Sequence, residues 1–545
     1  MAKPTSDKFS LWQLFALVAV CLLPALIMRD PSPPNELRYL SIADEALRDG
    51  TFFTFHNQGL IYTDKPPLFF WIIMLFRVVL GCHCMPVLCI VTSLVPAFVI
   101  VSVMDRWLGM GARKEMYSGW NRAAAAFVLL AGILFLGQTI FLRMDILMSM
   151  FITLALFSFY KMYTGRGNRR KESVLMPVYI FLGLFTKGPV GIFAPVLIIL
   201  AFLIIEKKWK DIGKYLGLKT WGILLLLFAL WIGCAWLEGG REYINSLLFH
   251  QTLDRAVNAF HHKEPFWYYL GTIWYVIIPW SLLLVPAVIF LYIKRQGCNP
   301  YRRLLLTAVG VTFVMLSCFS GKLAIYLTPI FAFMAYLMPQ FDSETGARGR
   351  KWAKAGLWIP AVILAAGGAG LAMLNLSPAV AGRFADVTAK APYLLSGAMT
   401  AAAAVLLAGG ILSCVVLFRG TWQKGVCAIA VTLLAALFTG SFKMEEINEW
   451  TAYEYICREA AAIDDTCGDR NIVNTLFVNR PENMDVYLGH DIIDFKDDVE
   501  SFLGQDHSGE VLIVKDRRAA ENSVLQEYLQ GKKCARVGEH TAYLL

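Results

Sequence analysis

Long uninterrupted apolar runs decide what this chain can be, because a soluble fold must interleave charge along its amphipathic elements. Runs that reach or approach about 20 residues, the length that crosses hydrocarbon as a helix, recur along most of the sequence. Of its 545 residues 57% are hydrophobic and only 17% charged. The expected fold class is therefore an α-helical polytopic membrane protein, with about thirteen transmembrane helices. The net charge of +9 does not point to nucleic acid, since Lys and Arg lie in short loops between apolar runs rather than on one soluble face. The first run, Leu11–Met28, follows Lys3 and Lys8 as in a signal peptide. No small-residue cleavage site follows it, and Arg29-Asp30-Pro31 reads as the end of a retained helix.

Charge in the loops sets the orientation. With Leu11–Met28 running outward, the short stretch 66–81, opened by two prolines and interrupted by Arg77, is expected to lie along the outer surface. The second span starts near Pro86 and runs to Met104. Further spans are expected at 123–141, 146–163, 174–186, 189–205, 219–238, 268–293, 304–319, 323–339, 354–374, 393–418 and 423–440. Alternate loops then carry Arg106, Arg113, Lys114 and Arg122; Arg166, Arg169, Arg170 and Lys171; Lys207, Lys208, Lys210 and Lys214; Lys294, Arg295, Arg302 and Arg303; Arg348, Arg350, Lys351 and Lys354; and Arg419 and Lys424. Every inward loop is basic, as the positive-inside rule requires. The chain divides into a membrane domain, 1–440, whose first outer loop, 29–85, carries juxtamembrane helices, and a soluble α/β domain, 441–545, on the outer side. In the latter, 471–478, 484–489 and 511–514 read as strands and 449–462 and 519–530 as helices. Most of the twelve cysteines are small hydrophobes in apolar runs. Cys82-His83-Cys84 is more simply structural than metal-binding, and Cys467 and Cys534 are candidates for a disulfide.

Ionisable groups that persist at helix mouths mark sites more often than chance. Glu36, Arg38, Asp64, Lys65, Arg143, Asp145, Lys187, His250, Asp254, Arg255, His261, His262 and Lys322 all fall in or beside outer loops. Both signs of charge converge there, which suits a polyanionic ligand with acid/base groups; interfacial anchors and structural ion pairs are the alternative. Residues 35–47 carry Leu and Ile at helical spacing, placing Glu36 near a helix N-terminus where it either accepts a proton from a nucleophile or, with Asn35, caps the helix. Gly109-Met110-Gly111 lacks the strand, turn and spacing of a nucleotide fingerprint.

Several segments carry a resemblance in chain order: Asn35-Glu36-Leu37-Arg38-Tyr39, Tyr62-Thr63-Asp64-Lys65-Pro66-Pro67-Leu68, Arg143-Met144-Asp145, Thr186-Lys187-Gly188-Pro189, His250-Gln251-Thr252-Leu253-Asp254-Arg255, Pro265-Phe266-Trp267-Tyr268-Tyr269, Pro279-Trp280-Ser281 and Ser320-Gly321-Lys322-Leu323-Ala324-Ile325-Tyr326. Together they resemble the membrane C-type glycosyltransferases, in the branch of the lipid A aminoarabinose transferases and protein O-mannosyltransferases. The resemblance implies transfer of a sugar, such as an aminosugar, from a polyprenyl-phosphate carrier to lipid A or another envelope glycan on the outer face of a bacterial inner membrane. The N-terminus would be cytoplasmic and the C-terminal domain periplasmic, with membrane lipids as surroundings. Protein O-glycosylation is the rival acceptor class. A lipid flippase or transporter is the rival of another kind, although no repeated halves are visible.

The same resemblance implies site roles. Lys65, Arg255 and Tyr326 would bind the donor phosphate, aided by Lys187 and Lys322; Arg38, Tyr39, Tyr62 and Arg143 would line the substrate cleft. Asp64 and His250 would hold one divalent metal, for which carboxylate and imidazole suit zinc. Asn35 stands where the family usually has the Asp taken as catalytic base. The base would then be Glu36 or Asp145, or Asn35 would orient an acceptor that needs little deprotonation; loss of activity is the remaining alternative.

Overall fold

A computed structural model describes residues 10–248, 263–295, 298–463, 472–490 and 492–545. The membrane part opens with α1 (Leu11–Met28), and its first long loop holds α2 (Arg38–Asp49), the hairpin β1 (Phe55–Asn57) and β2 (Leu60–Tyr62), and α3 (Pro67–Leu80). It continues through α4 (Met85–Gly111), α5 (Gly119–Leu130), α6 (Ile133–Ile140), α7 (Asp145–Tyr163), α8 (Arg169–Lys187), α9 (Val190–Ile205) and α10 (Leu218–Asn245). Then follow α11 (Tyr268–Val276), α12 (Ser281–Ile293), α13 (Pro300–Cys318), α14 (Thr328–Leu376), α15 (Gly397–Arg419) and α16 (Trp422–Gly440). Each expected span falls largely on helix, although two of them are divided. Among the described residues, 8 helices are long and apolar enough to cross a membrane, or 9 if one bent pair is a single span.

The departures have local causes. The expected span 123–141 is the bent pair α5 and α6, which turn by 66° at Ala131-Gly132. The stretch 268–293 breaks into α11 and α12 around Pro279, whose ring cannot supply the N–H that a continuous helix needs. The expected spans 323–339 and 354–374 are joined through the charged link 342–351, which is helical except at Gly346 (φ 56°, ψ −136°), a backbone conformation open to glycine and strained for other residues. The segment 174–186 starts earlier, at Arg169, because the Asn168 side chain accepts from the N–H groups of Arg170 and Lys171.

Carboxylates from the helices shape the first long loop. The β1–β2 turn places both Gln58 (φ 53°) and Gly59 (φ 72°) in the left-handed region, as a two-residue hairpin turn requires. Their N–H groups donate to Glu45 of α2 at 2.7 and 2.8 Å. The N–H groups of Phe52, Phe53 and Thr54 and the Thr54 hydroxyl donate to Glu238 of α10 at 2.9, 3.0, 2.8 and 2.6 Å. Asp44 ties α2 to α3 through Arg77 Nε at 3.1 Å and lies 2.7 Å from His83 Nε2. His83 is therefore engaged by a carboxylate, in keeping with a structural role for Cys82-His83-Cys84.

The C-terminal domain has helices α17 (Met444–Thr451) and α18 (Glu454–Ile463) and a sheet of β3 (Val473–Leu476), β4 (Ile493–Asp494), β5 (Val511–Lys515), β6 (Lys533–Val537) and β7 (His540–Leu544), in the order β4-β3-β5-β7-β6. β3 runs parallel to β4 and β5, while β7 runs antiparallel to β5 and β6. The expected strand at 484–489 is instead a helical turn, Asp485–Leu488, closed by Gly489 at φ 75°. The expected helix 449–462 breaks at Ala452-Tyr453, and 519–530 breaks at Asn522, whose side chain caps the second piece. The candidate disulfide involves Cys467, which lies outside the described residues.

This domain sits on the first long loop. Asn448 of α17 donates to the Met28 carbonyl at 2.8 Å and accepts from the Asp30 N–H at 3.1 Å. Burial, and after it the neighbouring Glu454 carboxylate, push the Asp30 carboxyl up to about 7. A raised carboxyl stabilises the fold in its protonated form, so this contribution is complete below the ordinary carboxylate range and is lost as pH rises through 7. Asp30→Asn is expected to raise the thermal unfolding midpoint more at pH 8 than at pH 5. An equal change at the two values would remove Asp30 as the source.

Candidate functional site

The site grows out of the turn that leaves α1. Pro31, Pro33 and Pro34 restrict this turn, and residues Pro33–Leu37 form one wide turn that leads into α2. Within it Glu36 is fully buried. Its carboxylate accepts from both terminal nitrogens of Arg29 at 2.7 Å, from the Ser32 N–H at 2.8 Å and from the Leu142 N–H at 2.5 Å. Arg29 in turn donates to the Ile140 carbonyl at 3.1 and 2.9 Å and lies over the Phe141 ring. Glu36 thus faces no cleft. It is the hub that fixes the α1 exit, the 33–37 turn and the 140–142 link, and a bidentate carboxylate with its oxygens already used is poorly placed to take a substrate proton. Asn35 is half-buried in the same turn.

The remaining candidates gather around α2. Arg38 faces the rings of Tyr39 and Tyr62, and the Asp64 charge also acts on it. Tyr39 is buried, which pushes its phenol up against the opposing pull of Arg143 and Arg38, with Asp145 also within electrostatic reach. Asp145 opens α7, is 2% exposed and is ion-paired with Lys187, the last residue of α8. The Lys187 ammonium also stands 4.7 Å from the centre of the Tyr326 ring. Tyr62 is buried, and its carbonyl accepts from Tyr243 of α10 at 3.3 Å. Asp64 and Lys65 are half-buried just ahead of α3.

Thus Arg38, Tyr39, Tyr62, Asp64, Arg143, Asp145, Lys187 and Tyr326 form one connected cluster, richer in cations than in carboxylates. Asp145, like Glu36, differs from its expected role: it is buried against a lysine rather than open to a nucleophile. Lys322 also departs. It is 3% exposed, and its ammonium donates to the carbonyls of Glu264 at 2.8 Å and Phe319 at 2.5 Å, closing two loops on each other instead of facing a phosphate. Arg255 and His250, with Asp254, His261 and His262, lie outside the described residues. No three His, Cys, Asp or Glu side chains gather to hold a metal among the described residues. Of the two residues implied to hold zinc, Asp64 alone lies among the described residues. Sequence reading missed Arg29, whose one signal was a single arginine closing an apolar run, and it missed Glu238 and Glu45, which look like surface charges without the loop they hold.

Fold and cluster define a multi-pass membrane protein that presents cations and buried phenols beside a long loop, under a small sheet domain. No family model matches the chain. Its fold is that of ArnT from Cupriavidus metallidurans: the crystal structure bound to undecaprenyl phosphate superposes with a TM-score of 0.74 at 17% identity, covering 98% of both chains, and the apo structure with 0.73 at 18%. In sequence the chain is similar to the undecaprenyl phosphate-alpha-4-amino-4-deoxy-L-arabinose arabinosyl transferase of Edwardsiella ictaluri, at 28% identity over 358 residues, 64% of this chain and 62% of that one. It is also similar to arabinosyl transferase 2 of Sodalis glossinidius, at 27% over 347 residues, 62% of this chain and 60% of that one. The matched regions span less than two thirds of these relatives' own lengths. The resemblance carried by the motifs, to the aminoarabinose branch, is the one these relatives bear out.

Proposed function

We propose that the protein is a glycosyltransferase that moves an aminosugar, 4-amino-4-deoxy-L-arabinose, from undecaprenyl phosphate to lipid A on the outer face of a bacterial inner membrane. The observation that carries this reading is the similarity to arabinosyl transferases named for that donor, joined to a fold match over 98% of the chain. The cationic cluster suits the chemistry. Displacement of a sugar from a phosphate builds negative charge on the leaving oxygens, and preorganised cations and hydroxyls in a low-dielectric site stabilise that charge. Lys65, Arg255, Tyr326 and Lys187 would take this role, with Arg38, Tyr39, Tyr62 and Arg143 beside the sugar. Lys322 and Glu36 act instead as structural clamps. With Asn35 unable to accept a proton and Asp145 paired, the acceptor oxygen would react as an anion, oriented by Asn35 and needing no base. The contacts between the C-terminal domain and the first long loop support placing both in the periplasm.

The test is transfer in vitro from a panel of polyprenyl-phosphate sugars to purified lipid A and to protein acceptors. Wild type should label lipid A, and Lys65→Ala should abolish labelling. Labelling of protein alone would favour O-glycosylation. Labelled lipid crossing a reconstituted bilayer with no donor consumed would replace the transferase reading with a flippase.

A further inference from the structure

The short segment 480–486 of the C-terminal domain touches the first long loop at three separate places. The Glu482 carbonyl accepts from the Gln58 side chain in the β1–β2 turn at 2.8 Å. The Asn483 side chain donates to the Pro33 carbonyl at 3.1 Å, at the start of the turn that holds Asn35 and Glu36. The Asp485 carboxylate accepts from the Ser41 hydroxyl at 2.7 Å, one helical turn beyond Arg38 in α2. Three contacts that do not lie along one element fix the position of a body better than a longer run along one helix. The segment is itself held firmly: Pro481 restricts it, Arg480 adopts a left-handed conformation (φ 57°) unusual for a residue with a side chain, and the Asn479 carbonyl accepts from Tyr453 at 2.6 Å.

Asn483 is fully buried, and its carboxamide oxygen has no hydrogen-bond partner among the described residues. A buried polar group with an unanswered acceptor is normally disfavoured. Its retention is accounted for by the single bond its nitrogen makes to Pro33, because the flipped amide would set oxygen against the carbonyl. The loop it steadies carries Asn35, Arg38, Tyr39, Tyr62, Asp64 and Lys65. These residues must hold their distances to Lys187, the last residue of α8, and to Arg143, in the link between α6 and α7.

We infer that the 480–486 segment is a positioning element of the active site, with Asn483 and Asp485 as positioning residues that set the 33–37 turn and α2 against Lys187 and Arg143. The inference rests on the transferase reading above, and it gives the C-terminal domain a part in the reaction rather than a passive attachment.

The test uses the full-length protein in nanodiscs, with kcat, donor KM and the thermal unfolding midpoint measured for wild type, Asp485→Ala, Asp485→Asn, Ser41→Ala and Asn483→Ala. Asparagine at 485 retains an oxygen that can accept from Ser41; alanine does not. A displacement of about 1 Å at a reacting group lowers turnover by up to about a hundred-fold. Asp485→Ala, Ser41→Ala and Asn483→Ala should therefore lower kcat about ten- to a hundred-fold, with donor KM and midpoint close to wild type, and Asp485→Asn should recover most of the rate. Unchanged kcat in the alanine variants, or a loss that only follows a fallen midpoint, overturns the inference. Ser41→Ala removes no more than a hydroxyl, so it keeps the test decisive if Asn483→Ala fails to fold. Absence of transfer by wild type would instead mark failure of the transferase reading.

Discussion

Glu36→Gln is expected to damage the fold before it damages chemistry. The substitution keeps the size of the side chain but takes the negative charge away from Arg29, which is 8% exposed and has the Ile140 and Asp30 carbonyls as its other acceptors. Removing one partner of a buried ion pair leaves the other charged and desolvated, a change that typically costs about 3–5 kcal/mol. The purified variant should therefore unfold at a markedly lower temperature than wild type and lose activity in parallel. Arg29→Met combined with Glu36→Gln should recover part of the midpoint, since replacing both charges removes the stranded one. A catalytic base would behave in the opposite way, leaving an inactive protein of normal midpoint, and that result would return Glu36 to the chemistry.

Lys187→Met should give the second large effect. Lys187 and Asp145 are an ion pair whose side chains are 14% and 4% exposed, and the ammonium stands beside Tyr326. A charged hydrogen bond to a phosphate contributes about 1.5–3 kcal/mol, which converts to a loss of roughly ten- to more than a hundred-fold in transfer. Loss of stability is also expected, because Asp145 is left unpaired. The double variant Lys187→Met with Asp145→Asn separates the two causes. It should regain much of the midpoint while transfer stays low, because the neutral pair no longer strands a charge but still offers the donor no cation. Recovery of transfer in the double variant would show that the pair serves structure alone.

Legibility of the fold tracked how local its cause was. Apolar length and basic loops are properties of neighbouring residues, so the expected spans coincide largely with helix, two of them as divided pairs. The juxtamembrane helices read at 35–47 and 66–81 appear as the 33–37 turn with α2 and as α3. Breaks were harder to see. Pro279 divides one apolar stretch, while Pro24, Pro177 and Pro195 stay inside continuous helices, because neighbouring helices decide whether a missing backbone hydrogen bond is tolerated. In the C-terminal domain β6 and β7 went unread: β6 is partly exposed and carries charge, so its identity as a strand rests on pairing with β7.

The site divides in the same way. By itself the sequence determined that this is a membrane protein, with its ionisable groups gathered in the loops and at helix ends, since hydrocarbon excludes charge wherever it has no use. It also determined the order of motifs that links the chain to the arabinosyl transferases. The tertiary structure alone decided what each charge touches. Glu36 lies next to Asn35 in the chain, yet its role comes from Arg29 seven residues before it and from the Leu142 N–H 106 residues after it. A carboxylate's function depends on which donors reach its oxygens, and those donors are brought together by packing across the membrane helices.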